Sequence, residues 1–487
     1  MVIGKDTGSG ALRCLRAAWS PSRTWLPGSI TRAVRCRAGR GVIAITVAGS
    51  LGLLPGLGAA PASGSVSGGS IAQPAPGTQL WVSRYNGSGS STDVAFAVAA
   101  SPAGGTVFVT GYRTGADFQA ELATVAYDAA TGVQRWLSLS PGVGFAVAVS
   151  PDGKTVFVTG QPGYTTIAYD AATGAQLWVK HYVAGTSPKA VVASPDGSTV
   201  YVTGTSPGTG TLGHPDYVTI AYNAATGARR WLSRYRGFAA PRAIAISRDG
   251  RAVYVTGQAG QTPDAATVAY NAATGAQLWA RRYNGRANNY DAANSVAVAP
   301  GGRTVYITGG SNGRTSNRDM FTVAYRAGTG AQLWARRYNG PGNRYDSGRS
   351  VAVTPGGRTV VVTGPSASAG IPFRNYATIA YNARTGARRW VSRYAGTGGS
   401  AKPAGMVISP DGSTVFVTGT ASPGYGTVAY AAATGAQLWA STYVGPGSID
   451  EATGLAVSPD GSRLYVTGTS YGGPSTDYDW ATVAYHT

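Results

Sequence analysis

Cysteine is almost missing from this sequence: Cys14 and Cys36 are the only two in 487 residues, and none follows. If the segment carrying them is removed, neither a disulfide, nor a thiol nucleophile, nor a thiolate metal site remains. Histidine is as sparse. His181, His214 and His486 stand far apart, with neither metal-ligand nor triad spacing. Charged residues make up only 12% of the chain, and acids are outnumbered 20 to 40 by Lys and Arg. Helical periodicity is missing too, since no dozen residues place apolar side chains at spacings of three and four. What is abundant is glycine, 71 residues, with Val, Thr and Tyr in short runs, which many tight turns between short strands require. An all-β class follows.

One long apolar run exists. Basic residues up to Arg40 precede "GVIAITVAGSLGLLPGLGAA" (41–60), and Ala60-Pro61-Ala62 suits a small-residue cleavage site. The pattern predicts a secretion signal with a long basic leader over 1–62, then a linker over 63–77. Cleavage is favoured over a retained membrane span because the run contains Gly and Pro. No twin arginine precedes it, and neither cysteine follows it, so ordinary secretion without a lipid anchor is expected. The first 62 residues hold eight of the 40 basic and one of the 20 acidic residues, leaving 32 and 19, a net of +13. Much of this excess recurs after tryptophans, as in "WARRYNG" at Trp279 and Trp334. Regular spacing of that kind suggests a solvated outer rim, with attraction to anionic wall polymer, polysaccharide or nucleic acid as the functional alternative, nucleic acid being the disfavoured partner.

The rest of the chain is one repeat of four short strands. In one copy, "FAVAVS" (145–150) leads through "PDGK" to "TVFVTG" (155–160), then "TTIAY" (165–169), "DAATGA" and "QLWVKHY" (176–182). The second-strand Thr-Gly occurs eight times, as does the third-strand tyrosine. The fourth-strand tryptophan also occurs eight times, at Trp81, Trp136, Trp178, Trp231, Trp279, Trp334, Trp390 and Trp439, but in a shifted frame. The chain therefore starts with a fourth strand and ends with a third. Pairing the two would close a ring and hide the edges that an open array exposes. The period, about 51 residues, suits four-stranded blades. The expectation is an eight-bladed β-propeller over 78–487, its N-terminal strand completing the last blade.

"AYDAATGAQLW" (168–178) resembles the Ala-x-Asp-x-x-Thr-Gly-x-x-x-Trp docking motif of pyrroloquinoline-quinone dehydrogenases, and "SPDGSTVYVTG" (194–204) resembles YVTN-type repeats of secreted bacterial propellers. The resemblance implies that the eight tryptophans pack between neighbouring blades. Those enzymes also imply blade-specific groups for quinone, calcium and a catalytic Asp, and none can be placed on this sequence. Pyrroloquinoline quinone is therefore disfavoured, and no cofactor is predicted.

Two acidic positions do vary between blades. Asp93, Asp291, Asp346 and Asp450 each stand nine residues before a turn proline, and Glu121, Asp319, Asn375 and Asp479 each stand three before a third-strand threonine. Asp216 and Asp264 hold only the second position. Up-and-down connection places both positions on the loop face. There they either fix loops through backbone hydrogen bonds or bind calcium. Loop tips such as "YNGRANNYDAAN" (283–294) and "YNGPGNRYDSGR" (338–349) suit sugar contacts as well as turns. The expected function is a secreted, monomeric, non-catalytic scaffold that binds an unidentified protein or cell-envelope glycan through its loop face. The alternatives are a quinone-dependent dehydrogenase-like or lactonase-like enzyme, and a calcium- or carbohydrate-binding propeller.

Overall fold

The computed structural model describes residues 73–487 apart from 90, 183–186, 209–213, 370–373 and 474–475. The expected export segment 1–62 with its two cysteines, and residues 63–72 of the expected linker, lie outside the described residues. Among the described residues, no helix is long and apolar enough to cross a membrane. Thirty-two strands form eight antiparallel four-stranded sheets. The first blade is β2 (Val94–Ala100), β3 (Thr106–Thr114), β4 (Ala120–Asp128) and β5 (Gln134–Pro141). Six further blades use β6–β29, from Val143 to Tyr443. The last joins β30 (Asp450–Val457), β31 (Arg463–Gly473) and β32 (Asp477–His486) to β1 (Gln79–Tyr85), in the order β1-β32-β31-β30. The split copy closes the ring, as the shifted repeat predicts.

Eight small cores lie between neighbouring sheets. Each tryptophan ring packs on the third-strand tyrosine of the next blade, with centroids 6.1–6.4 Å apart. Seven of them donate Nε1–H to an alanine carbonyl just beyond that tyrosine, at 2.7–3.2 Å. The indole is thereby both wedge and hydrogen-bond donor, so its polar edge is satisfied while its face fills the gap between twisted sheets.

The glycine of each Thr-Gly turn makes this possible. Gly174 has φ +74°, a region that L side chains avoid, and a Cβ there would lie 2.6 Å from the Trp136 ring. At the closing seam the same job falls to Gly77, at the other end of the chain, with φ +84° and a Cβ position 3.0 Å from Trp439. Its N–H donates to the His486 carbonyl at 2.7 Å, as Gly132 does to Asp128 at 2.8 Å. Two residues after the tryptophan, Ser138, Ser233 and Ser392 donate to the glycine carbonyl of the next turn, while Arg281 and Arg336 reach the same carbonyl at 3.0 and 2.9 Å.

Gly174→Ala combines left-handed strain with overpacking against Trp136, and should cost on the order of 3 kcal/mol. Gly105→Ala, with no atom within 4 Å of the new Cβ, serves as the control. Denaturant midpoints of the two variants measure the difference; equal midpoints would refute the wedge role of the glycine.

Candidate functional site

The four first-position aspartates are buried and hold loops. Asp93 accepts from the backbone N–H groups of Gly87 and Thr114, at 2.5 and 2.7 Å. Asp291, Asp346 and Asp450 accept from Gly285, Gly340 and Gly445 at 2.6–2.8 Å. Each ties down the glycine that opens the connection into its own blade. Burial pushes the Asp93 carboxyl up to about 6, against the pull of its two amide bonds, and pushes Asp291 and Asp346 in the same direction.

The second-position acids meet arginines. Asp479 pairs with Arg84 at 2.7 Å, Asp319 with Arg337 at 2.9 Å, and Asp216 with Arg234 at 3.6 Å, each arginine standing three residues after its blade's tryptophan. In the first blade that site is Leu139, and Glu121 pairs instead with Arg113 of β3 at 2.7 Å. Asn375 replaces the acid in the sixth blade, where Arg393 turns to Ser366 and Tyr338. These arginines were expected on a solvated rim. They lie inward instead, with the Arg337 side chain only 18% exposed.

In the fifth and eighth blades the first-position acid and the guanidinium that pairs with the second-position acid flank the same glycine. Arg337 Nη1 and Asp291 Oδ1 both lie 2.8 Å from the space above Gly285, and Arg84 Nη1 and Asp450 Oδ1 flank the space above Gly445 at 3.1 and 2.7 Å. Among the described residues, no group of three or more His, Cys, Asp or Glu side chains is placed to hold a metal ion.

The asparagine-rich loop tips are occupied by their own turns. Asn284 donates to Asn288 at 2.5 Å and Asn339 to Asn343 at 2.6 Å, with both acceptor residues at positive φ. These loops border an open cleft of about 940 Å³ beside Tyr283, Arg286 and Asp319.

The chemistry that changes from blade to blade lies elsewhere. The first strand of each sheet is innermost, and these strands neighbour one another around the channel. Seven of the eight carry one extra residue, a β-bulge, level with the second-strand Thr-Gly. Around the ring the bulge residues are Phe96, Phe145, Lys189, Arg242, Asn294, Ala404 and Thr453; in the sixth blade Arg349 takes the same place, one residue before regular pairing starts at Ser350. A bulge frees its residue from the ladder and re-aims it. Phe96 and Phe145 pack at a tilt with centroids 5.7 Å apart, and Lys189 Nζ lies 5.4 Å from the Phe145 ring. Arg242 donates to the Asn294 carbonyl oxygen, and Asn294 donates to the Gly348 carbonyl at 2.7 Å. Sequence reasoning missed this column. Its members always stand six residues before the first-turn proline, or before Arg248 where that proline is replaced.

Asp93→Ala should destabilise the protein by about 1–3 kcal/mol, because two buried amides lose their acceptor. The Asp93 carboxyl is raised above its unfolded value, so its contribution is full below about pH 4 and declines as pH rises through about 6. The gap between wild-type and variant midpoints, followed by thermal unfolding, should therefore narrow from pH 4 to pH 7. A gap that widens would contradict the raised carboxyl.

No curated protein matches the chain in sequence. Among solved structures, Sqt1 of Chaetomium thermophilum aligns at a TM-score of 0.63 and 14% identity, over 84% of this chain and 98% of that one. Sqt1 bound to the N-terminus of ribosomal protein L10 aligns at 0.63 and 14%, over 84% and 100%. BamB from Moraxella catarrhalis aligns at 0.49 and 18% identity, over 84% and 99%. At such identities the likeness is one of fold. Residues 67–209 and 121–362 match the repeat family described as outer membrane protein assembly factor BamB. Over that span, more than half of its length, the chain belongs to this family of quinone-type repeat β-propellers.

Proposed function

We propose that this protein is an exported, non-catalytic binding module that receives its partner at the loop-face mouth of the channel. The observation that carries the reading is the bulge column. Seven turns of the wedge and strand pattern repeat with little change, whereas this one position runs through aromatic, cationic, amide and small side chains. Repetition of that kind maintains a frame, and variation at one exposed level of it provides recognition. The acids meanwhile bond to amides and arginines, which is the arrangement of structural rather than reactive carboxylates. A family described by an assembly role supports the same reading, as does the fold-level likeness to Sqt1, which has been crystallised with a bound peptide segment of L10.

Immobilised protein should capture a discrete envelope component. A Phe96→Ala/Arg349→Ala variant should lose that component, and a turn-face Lys154→Ala/Arg251→Ala variant should keep it. Equal capture by both variants, or dye-linked oxidation by protein loaded with pyrroloquinoline quinone and calcium, would overturn the assignment.

Export is tested separately with the tagged full chain. Mass spectrometry of protein recovered from the medium should find an N-terminus close to Ser63; intact chain retained inside the cell would refute it.

A further inference from the structure

The channel mouth is not electrically uniform. On its cationic side, around the seam between the fifth and sixth blades, stand Arg242, Arg318, Arg349, Arg374 and, at the edge, Lys402. Several arginines elsewhere on this face are matched by acids, as Arg84, Arg113, Arg234 and Arg337 are. At the mouth they are not. Arg242 bonds only neutral acceptors, namely Asn294, Gln258 and Tyr290. The Arg318 guanidinium lies 4.4 Å from the Tyr290 ring and 5.4 Å from the Tyr345 ring, and Arg374 lies 4.2 Å from Tyr345. Among the described residues the Arg349 guanidinium makes neither a hydrogen bond nor an ion pair. Glu451 lies 3.6 Å from Lys402, with both side chains mostly exposed. Rings and amides thus hold these cations in place and leave their charge unneutralised.

Local irregularity builds the cleft. The inner strand of the sixth blade, β22 (Ser350–Val353), has four residues, where the other inner strands have seven or eight. The residues before it cross to neighbours instead: Tyr345 bridges to Arg318, and Asp346 to Ser366. Gly310 follows the second-strand Thr-Gly here, where every other blade has a larger residue, and a Cβ at that point would lie 2.6 Å from Arg318. The result is a cleft of about 110 Å³ bordered by Arg242, Arg318, Arg349, Arg374 and the Ser347 hydroxyl. That is room for a compact oxyanion such as a phosphate or carboxylate.

A second cavity of about 600 Å³ shares Arg349, Lys402 and Pro403 with this cleft. Its wall includes Val94, Phe96, Ala452 and Tyr478, together with Ile449, an apolar side chain 57% exposed. Its volume falls within the range of small-molecule sites.

We propose that the mouth binds an anionic amphiphile, its oxyanion group held by the arginines of the small cleft and its apolar body lying along Phe96 and Ile449. This rests on the reading of the loop face as the binding surface, and it names the ligand chemistry there. A lipid-like headgroup and a soluble aromatic or alkyl acid share that chemistry.

Calorimetry on the purified chain with octyl phosphate, octanoate, octyl glucoside and inorganic phosphate tests it. Octyl phosphate should bind at least tenfold more tightly than inorganic phosphate or octyl glucoside, and its affinity should fall as salt rises. Octanoate binding alongside octyl phosphate would identify a site for oxyanions in general, and its failure to bind would identify a site selective for phosphate; either supports the proposal. Arg349→Gln and Arg318→Gln should each weaken octyl phosphate about tenfold, with unchanged thermal midpoints showing that the ring is intact. Phe96→Ala should weaken octyl phosphate and leave inorganic phosphate as it was. Octyl phosphate binding no better than octyl glucoside, or binding indifferent to both arginine substitutions, overturns the proposal. If that result is accompanied by envelope capture that still depends on Phe96 and Arg349, the scaffold reading survives and the amphiphile alone is lost.

Discussion

The indole of each fourth strand occupies space that the next blade leaves open by having glycine in its turn, and the ring is assembled from that contact. A sheet of four short strands has two apolar faces and no core of its own. Only when the tryptophan of one blade reaches the tyrosine and turn of the next is either face covered, so the stability of each blade is a property of the seam. Every seam depends on its neighbour. An open array would leave its first and last faces wet, which gives the split final blade its energetic sense: β1 must return to β32, and Gly77 must return to Trp439, for the eighth seam to form.

A second belt runs round the loop face and uses different chemistry. At several seams a tyrosine four residues after the tryptophan accepts from an arginine of the following blade, as Tyr443 does from Arg84 and Tyr338 from Arg393. Arg84 also neutralises the second-position Asp479, and Arg234 joins Tyr182 of the preceding blade to Asp216 in the same way. One guanidinium thereby joins two blades and satisfies a carboxylate that burial would otherwise penalise. Acid and arginine form a single structural unit.

The wedge was legible in the sequence because it is the same in every copy: tryptophan, tyrosine and Thr-Gly recur wherever two sheets must fit, and the offset of the tryptophans disclosed the closure. Gly77 was not legible, since "PGTQLW" at the chain's entry lacks the Thr-Gly that marks the other turns. The acidic positions were found, but their partners were hidden. An arginine three residues after a tryptophan looks like a surface cation until the fourth strand is seen beside the third. The bulge column escaped for the opposite reason. It has no constant residue, so a search for what repeats passes over it, although its distance from the first turn is fixed.

A ring of eight nearly equal blades offers a ligand eight nearly equal ways to dock, which would make for avid but undirected attachment. The bulge residues remove that degeneracy. From the paired phenylalanines through Lys189 and Arg242 to Arg349 and then Ala404 and Thr453, the mouth acquires a bearing, with an apolar quarter and a cationic quarter in fixed relation. A molecule with two chemically distinct ends meets one azimuth that suits both. Since the bulged residue lies outside the strand ladder, that bearing can be reset by substitution without disturbing the seams.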